Sequence, residues 1–352
     1  MSKNALIILD SYKYKGKEAM IRKNIDSLCN PTFFYTDYEN SLIKFFHGLK
    51  FVGNFLSHIS YWAISLVLAA EILAKKRSHE IIIFVNPIVG YFYCFMLSLF
   101  KREERVLIAG FIFEEKENRL YLALRRKFVN FAYQSASCLI VYSNIEVEQY
   151  AEMFPKLANK LKFVRYGRDY DIFSEKKYSS IEQYVASGGG SNRDFSTLIA
   201  ALKILEKKNP EILCRVATRP DALSINHPPV NLQVVHEIRI DRFGSFLENS
   251  LFVVIPIKNN FISAGHMALL ESMYRQKVII ATDLPVVRDY ASDSEIFFYQ
   301  ADDSNELAER MDYVFNNIKS DEVKLKALAA KNKYQSDYTF NKFIYRLIEN
   351  CI

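Results

Sequence analysis

Short apolar runs alternate with longer amphipathic segments along the whole chain, and this alternation occurs in two successive sets. The runs are Ala5–Leu9, Thr32–Tyr35, Ile81–Val85, Val106–Ile112 and Cys138–Tyr142 in the first set, and Tyr184–Ala186, Ile212–Ala217, Leu232–Val235, Leu251–Ile255, Val278–Ala281 and Ile296–Tyr299 in the second. Runs without polar positions predict strands buried on both faces, as in parallel sheets covered by helices. Two such sets predict an α/β chain with two Rossmann-like domains.

The boundary between the two predicted domains lies after Arg168, where the pattern becomes polar. We therefore expect an N-terminal domain over residues 1–168 and a C-terminal domain over residues 169–335. Apolar side chains at helical spacing in residues 336–352 predict an amphipathic helix that closes the chain. These side chains are Phe340, Phe343, Ile344, Leu347 and Ile348.

One segment, Phe51–Leu73, is apolar enough to raise the question of a membrane span. Polar side chains such as Asn54, His58 and Glu71 interrupt it, and a span of about 20 residues tolerates few of them. We predict a helix that is either buried in the core or lies in a membrane surface. The second alternative is open because Trp62 and its aromatic neighbours precede a basic triplet, Lys75-Lys76-Arg77.

The composition is typical of a folded cytoplasmic protein. With 352 residues, of which 50% are hydrophobic and 24% charged, the chain can form two cores and is not expected to be disordered. The first apolar run, Ala5–Leu9, is too short for a signal peptide, and Asp10 ends it. The five cysteines lack the spacing of a metal or redox site, which indicates structural cysteines in a reducing compartment.

Positive charge is concentrated in the first half of the chain. Residues 1–168 carry 24 Lys and Arg against 15 Asp and Glu, whereas the remaining residues carry 22 against 25. A basic, aromatic half can face anionic lipid headgroups, phosphates or nucleic acid. The acidic second half argues against nucleic acid, so we expect a membrane surface as the partner of the basic half.

A glycine-rich loop, Ser187–Asp194, stands between a predicted strand and an apolar helix that begins near Phe195. The amides of Gly188, Gly189 and Gly190 can approach a phosphate closely, and a helix N-terminus adds further donors. Arg193 can complete an anion clamp with its planar fork of donors. The dinucleotide fingerprint requires a glycine where Arg193 stands, so a nicotinamide enzyme is disfavoured. A tight turn without a ligand is the alternative.

A second candidate segment is Ser263–Met273, which follows a predicted strand and its loop. Ser263 is predicted to cap the helix, so that the free amides of Ala264, Gly265, His266 and Met267 point into the crevice at the strand ends. Glu271 would place a carboxylate within an apolar helix face. Such a carboxylate either accepts hydrogen bonds from ribose hydroxyls or forms a buried salt bridge.

Together, the segments Ser187–Ala201 and Ser263–Tyr290 resemble the donor domain of family 4-type GT-B glycosyltransferases (glycosyl transferases group 1) of the bacterial polysaccharide type. The resemblance extends less clearly over the whole chain. It implies two Rossmann-like domains that face each other across a cleft, with the C-terminal helix packing back toward the N-terminal domain. Arg193 falls at the second of the family's two basic positions, and the first is absent. Glu271 matches the second of the family's two glutamates, and Ser263 replaces the first.

The resemblance also assigns roles to residues. The implied donor-binding residues are Gly188, Gly189, Gly190, Arg193, Ser263, Ala264, Gly265, His266, Met267 and Glu271, with Arg219 or Lys258 as further phosphate contacts. Arg193 and His266 are implied to act in catalysis, and Glu114 or its neighbour Glu115 stands nearest to the position where the family carries a histidine. Lys15, Gly16 and Lys17 are implied to lie on the acceptor side.

The implied reaction moves a sugar from a nucleotide-sugar donor, expected to be a UDP-sugar, onto a lipid-linked or polysaccharide acceptor. Retention of anomeric configuration follows from the resemblance. No Asp-x-Asp motif suits a metal-bound donor, so neither a metal nor another cofactor is expected. The expected location is cytoplasmic, peripheral on the inner face of the cell membrane. An epimerase-like enzyme of the same fold and a non-catalytic nucleotide- or glycan-binding subunit are the alternatives.

Overall fold

The computed structural model of the chain describes residues 3–9, 14–36, 53–75, 79–114, 118–171, 177–219, 223, 228–236, 238 and 240–350. Glu115 and the last two residues of the basic triplet at residues 75–77 lie outside these ranges. The chain divides into two compact units: residues 1–164 with residues 341–352, and residues 165–340. Elements are numbered below in chain order along the described residues.

The first unit contains a six-stranded parallel sheet with the strand order β2-β1-β3-β4-β5-β6. Its elements are β1 (Lys3–Leu9), α1 (Glu18–Ile25), β2 (Cys29–Tyr35), α2 (Gly53–Lys75), β3 (Ile81–Phe84), α3 (Pro87–Phe100), β4 (Val106–Ala109), α4 (Arg119–Tyr133), β5 (Cys138–Val141), α5 (Asn144–Met153), a 3₁₀ helix (Pro155–Lys160) and β6 (Leu161–Phe163). The central strands β3, β4 and β5 are buried along their whole length, which is why they read as uninterrupted apolar runs.

The second unit contains a second six-stranded parallel sheet, with the order β12-β11-β10-β7-β8-β9. Its elements are β7 (Val185–Gly188), α6 (Phe195–Lys208), β8 (Cys214–Ala217), β9 (Leu232–Val235), α7 (Ile240–Glu248), β10 (Phe252–Ile255), α8 (His266–Tyr274), β11 (Val278–Asp283), α9 (Pro285–Arg288), β12 (Phe297–Gln300), α10 (Ser304–Asn316) and α11 (Asp321–Asp337). Apolar side chains of α6, α10 and α11 form one core cluster with side chains from the strands.

Every strand predicted from an apolar run is present, with small differences at the ends. The two largest are of three residues each: β2 begins at Cys29 rather than Thr32, and β4 ends at Ala109 rather than Ile112. Gly110 has a φ of +86°, a left-handed conformation that a strand does not continue through. The sequence missed β6, a three-residue edge strand in which Lys162 is exposed between two apolar residues.

The apolar segment Phe51–Leu73 forms most of the long helix α2. Ser65, Ala69 and Ile72 are buried, whereas Trp62 is 52% exposed and packs edge-on against Phe92 of α3. Within the described ranges, no helix is both long and apolar enough to span a membrane. The helix therefore has a core side and an exposed apolar side.

The predicted C-terminal amphipathic helix is α12 (Phe340–Glu349), and residues 341–352 are grouped with the first unit. Phe343 contacts the ring of Tyr142 at a centroid distance of 6.1 Å, and Lys162 donates to the carbonyl oxygen of Asn350 at 3.1 Å. The apolar positions predicted to face the protein are all buried. The last helix of the chain thus covers the sheet formed by its first part.

Replacing a buried residue of α12 tests this packing. We expect Leu347→Ala to lower the free energy of unfolding of the first unit by about 2 to 5 kcal/mol, because it removes buried methyl groups and leaves a cavity. Trp62 is the only tryptophan and belongs to this unit, so its fluorescence during urea unfolding gives the measurement. Glu349→Ala, on the exposed side of α12, is the control and should change little. Equal effects of the two variants would contradict the packing.

Candidate functional site

The topology of the second sheet favours one position for ligand binding. The strand order reverses direction between β10 and β7. In open α/β sheets, ligands bind beyond the carboxyl ends of the strands at such a switch point, because the two flanking loops diverge there. The loops that follow these two strands are residues 189–194 and residues 256–265, and both belong to segments that the sequence singled out.

The glycines after β7 fit closely against the neighbouring strand. A Cβ atom on Gly188 would lie 2.5 Å from the carbonyl oxygen of Ala217 in β8, so only glycine fits there. Gly189 has a φ of +121°, and its N–H donates to the same carbonyl oxygen at 3.0 Å. The N–H of Gly189, one of the three amides predicted to bind a phosphate, therefore already has a protein partner. Gly190 is the exposed glycine of the loop.

Arg193 lies between the two loops of the switch point. Its Nε donates to the carbonyl oxygen of Gly188 at 2.9 Å, and its Nη1 donates to that of Ser191 at 3.1 Å. A Cβ atom on Gly189 would lie 2.6 Å from Nη2, and one on Gly265 would lie 3.3 Å from Nη1. Both glycines thus make room for the guanidinium, a role that sequence analysis did not assign to them.

The charge of Arg193 is not balanced by a carboxylate among the residues that the structure describes, since its recorded partners are carbonyl oxygens. Burial lowers the pKa of Arg193 to about 10, so the side chain stays cationic at neutral pH. Removing a cation from water without a counter-ion costs free energy. Such a group at a switch point is a candidate for binding an anion.

Side-chain amides tie the two loops together next to Arg193. Asn192 and Asn260 exchange two hydrogen bonds of 2.8 and 2.6 Å through their side chains. Asp194 donates its N–H to the carbonyl oxygen of Pro256, and its carboxylate caps α6 by accepting from the N–H of Thr197 at 3.1 Å. These contacts hold the arginine in place, and a single sequence offers no signal for the asparagine pair.

A second guanidinium lies beside the glycine loop. Arg219 follows β8, and its Nη2 donates to the carbonyl oxygen of Gly190 at 3.3 Å. Next to it, the hydroxyl of Thr218 donates to the carbonyl oxygen of Gly189 at 2.9 Å. Lys258, the other additional cation, is exposed, and its backbone N–H donates to the carbonyl oxygen of Asn192. Arg219 is thus the second basic side chain that the structure brings to the loop.

The predicted start of the second candidate helix is wrong. Helix α8 begins at His266 and is preceded by Gly265 rather than capped by Ser263. Gly265 has a φ of +84°, and a Cβ atom there would lie 2.7 Å from Cδ1 of Ile257, so only glycine fits at this point. The amides outside the helical bonding pattern are consequently those of residues 266–268, whereas Ser263 and Ala264 belong to the preceding loop.

His266 is buried at the first position of α8. Its Nε2 donates to the carbonyl oxygen of Val286 at 3.2 Å, and its ring lies 4.2 Å from that of Tyr290, centroid to centroid. Burial, with a smaller contribution from the charge of Arg193, lowers the pKa of His266 to about 4. The imidazole is therefore neutral at pH 7, and Nδ1 is the nitrogen left to accept a hydrogen bond.

Two further donor-site candidates on α8 have protein partners. The carboxylate of Glu271 accepts from Nη2 of Arg275 at 3.3 Å, so the buried salt bridge that the sequence left open is formed. Binding of ribose by the same carboxylate stays a prediction. Met267 is exposed by 48%, its carbonyl oxygen accepts from the hydroxyl of Tyr170, and its sulfur accepts from Nη1 of Arg168.

The acceptor-side candidates follow β1 in the first unit, beside that sheet's own switch point between β1 and β3. Gly16 turns the chain into α1 with a φ of +83°. The backbone amides of Gly16 and Glu18, with the hydroxyl of Tyr35 that donates to the carboxylate, lower the pKa of Glu18. Lys15 is exposed, and the side chain of Lys17 makes no capping bond to α1. Their role stays a prediction.

Glu114 lies in the loop after β4. Its carbonyl oxygen accepts from Nη1 of Arg125 at 2.6 Å, and the same guanidinium lies 4.2 Å above the ring of Phe113. The acid/base role assigned to Glu114 from the sequence stays a prediction, and Glu115 is outside the described residues.

No protein-family model and no curated protein sequence matches the chain. Solved structures do match over nearly its whole length. A glycosyltransferase from Rickettsia africae is 14% identical, with a TM-score of 0.59 over 99% of this chain and 98% of that chain. The Anabaena protein HepE in complex with UDP-glucose is 13% identical, with a TM-score of 0.64 over 99% and 98%. The N-terminal domain of trehalose-6-phosphate phosphatase from Candida albicans is 10% identical, with a TM-score of 0.61 over 100% and 97%.

At these identities the likeness shows the fold alone. The chain has the GT-B glycosyltransferase fold of two Rossmann-like domains, each with a six-stranded parallel sheet, and the predicted fold class is confirmed. Membership of family 4 in particular stays a prediction.

The buried imidazole of His266 should make stability depend on pH. Its folded pKa of about 4 lies below the ordinary value of 6.5, so between these values the unfolded chain binds a proton that the folded protein does not. We expect the free energy of unfolding to fall by about 2 kcal/mol from pH 7 to pH 5 on account of this group. Urea unfolding followed by circular dichroism at both pH values measures it. The control is His266→Gln, whose amide still donates to Val286, and an equal fall in this variant would contradict the assignment.

Proposed function

We propose that the chain is a glycosyltransferase that binds a nucleotide-sugar donor at the switch point of its second unit. One observation carries the proposal: among the described residues, the cationic Arg193 has no carboxylate partner, and it lies between Gly189 and Gly265, beyond the carboxyl ends of β7 and β10. A nucleoside diphosphate supplies the negative charge that this arrangement lacks. The structural likeness to a glycosyltransferase and to HepE, which was solved with UDP-glucose, supports UDP as the nucleotide.

The proposed chemistry uses groups that are already in place. Breaking the anomeric bond leaves negative charge on the departing diphosphate, and preorganised donors stabilise that charge. Arg193, Arg219 and the first amides of α8 are such donors. His266 is neutral and holds its Nε2 proton on Val286, so we assign it to accepting a hydrogen bond from the sugar through Nδ1.

The finer parts of the function are proposals of the same kind. We propose retention of anomeric configuration, with Glu114 as the acid/base candidate, and no metal requirement. Among the described residues, no group of three or more His, Cys, Asp or Glu side chains is arranged to hold a metal ion. The proposed acceptor is a lipid-linked sugar or a growing glycan on the side of Lys15, Gly16 and Lys17. Such an acceptor places the enzyme at the inner surface of the cell membrane.

Nucleotide binding is the first test of the site. We expect isothermal titration to show binding of UDP in preference to GDP and ADP, and Arg193→Gln to weaken it by about 100-fold, because charge-assisted hydrogen bonds to the diphosphate are lost. Arg310→Gln is the matched control, since Arg310 is an exposed arginine of the same unit that pairs with Glu306. Absence of binding to all three nucleotides, or equal losses in both variants, would sink the donor-site assignment.

The two alternatives for Glu271 can be separated in the same titration. Glu271→Gln and Arg275→Gln both break the ion pair between these residues, but only the first removes the carboxylate that would accept the ribose hydroxyls. We expect Glu271→Gln to weaken UDP binding by about 10-fold and Arg275→Gln to leave it nearly unchanged. Equal effects of the two variants on UDP binding would indicate that Glu271 forms the salt bridge with Arg275 and does not bind the ribose.

Turnover distinguishes a transferase from the alternatives. With UDP-glucose and a short-chain lipid diphosphate carrying one sugar, we expect release of UDP that depends on the acceptor and persists in the presence of EDTA. Conversion of UDP-glucose to another UDP-sugar without acceptor would indicate an epimerase. Binding of UDP without release of product from any donor tested would indicate a non-catalytic subunit.

A further inference from the structure

Helix α4 (Arg119–Tyr133) presents its large apolar side chains to solvent. Only Ala132 and Tyr133, in its last turn, are buried. Leu120, Leu124, Phe128 and Phe131 follow the spacing i, i+4, i+8 and i+11, so they form one stripe along the helix, and all four are exposed. Leu120 is 72% exposed and Phe128 is 54% exposed. A surface helix of a globular domain ordinarily turns such a stripe toward the core.

The opposite side of α4 explains the reversed orientation. Arg125 is half-buried on the inner side, where its Nη1 donates to the carbonyl oxygen of Glu114 and its guanidinium covers the ring of Phe113. Leu122 and Val129 are the intermediate apolar residues of this inner side. The contacts of Arg125 fix the rotation of the helix, so the stripe cannot turn inward without breaking them.

The neighbouring helix α3 extends the apolar surface. Leu99 and Phe100 at its end are 58% and 59% exposed. Between the two helices runs a groove of about 420 Å³, lined by Phe95, Leu99, Leu124, Lys127, Phe128 and Phe131. Its lining is apolar apart from the ammonium group of Lys127. The groove therefore matches a molecule with a long apolar part and an anionic head.

The charged residues within the two helices that form this surface are all cations. Helix α3 contains no charged residue, and α4 contains four cations and no carboxylate. Arg119 and Lys127 are exposed on α4, and Lys101 is exposed directly after α3. Carboxylates flank both helices in the sequence: Glu103 and Glu104 stand among the cations of residues 101–105 after α3, and Glu114, Glu115 and Glu117 precede α4. An exposed apolar stripe with basic flanks is typical of a helix that lies in the surface of an anionic membrane.

We infer that the outer face of α4, together with the end of α3, inserts its apolar side chains into the surface of an anionic phospholipid bilayer. The acyl region contacts the stripe and the groove, and the phosphates contact Lys127, Arg119 and Lys101. This surface is not the helix at Phe51–Leu73, for which the sequence left a membrane-surface position open. The inference rests on the proposed function, because binding to a membrane would bring the enzyme to a lipid-linked acceptor. Membrane binding itself can be measured without donor or acceptor.

Co-sedimentation with lipid vesicles tests the inference. The full-length chain is expected to bind vesicles of phosphatidylcholine with phosphatidylglycerol and to bind those of phosphatidylcholine alone much more weakly. Arg119→Gln with Lys127→Gln should weaken binding by about 30-fold, because each cation near an anionic surface contributes about 1 kcal/mol. Leu124→Glu with Phe128→Glu should reduce binding to the level of phosphatidylcholine alone. All four side chains are exposed, so folding should be unaffected.

The matched control is Leu325→Glu with Leu328→Glu, two exposed leucines on α11 in the second unit, and it should bind vesicles as the unchanged protein does. The inference is overturned if the unchanged protein does not sediment with the acidic vesicles, or if the α4 variants sediment as well as the control. It is also overturned if ultracentrifugation shows a dimer that the α4 variants abolish, because a second copy then covers this surface. UDP titration of the α4 variants keeps the two proposals apart, since donor binding should be unchanged in them.

Discussion

A guanidinium cation that has no ionic partner in the described part of the chain organises the candidate site of the second unit. Arg193 hydrogen-bonds the carbonyl oxygens of Gly188 and Ser191 on one side of the switch point and lies against Gly265 on the other. Burial lowers the pKa of Arg193, but the guanidinium remains charged at neutral pH. The free-energy cost of removing this charge from water is therefore not avoided by deprotonation. A bound anion offsets that cost. Gly189 and Gly265, which leave room for the guanidinium, are therefore part of the proposed diphosphate site.

The strands were predictable because of where they lie in the two sheets. Central strands such as β4 and β10 are buried on both faces, so their sequences contain no polar position. The edge strand β6 has a neighbour on one side only, and Lys162 in its middle is exposed, which removes the apolar run on which the prediction depends. What the sequence could not give was the point at which a strand or helix ends. Gly110 and Gly265 set two such points through positive φ angles.

The partners within the site depend on register rather than on local pattern. Gly188 and Ala217, the last residues of β7 and β8, pair in the parallel ladder, so Gly190 and Arg219, two residues beyond each strand, become neighbours. No periodicity in the sequence reveals this pairing, although both residues were visible as candidates. For Glu271, the sequence identified a carboxylate that needs a partner, but it did not show whether that partner is a ligand or a basic side chain such as Arg275.

The orientation of α4 shows why a hydrophobic stripe by itself does not locate the core. Helical spacing tells which side chains share a face, but the direction of that face is set by what packs on the other side. In α4 the inner side is held by Arg125, whose guanidinium finds both a carbonyl oxygen and an aromatic ring within the protein. Exposing Leu120 and Phe128 to water costs free energy in the isolated protein. Contact with the acyl chains of a bilayer removes these side chains from water and so offsets the cost, which supports lipid as the partner of this surface.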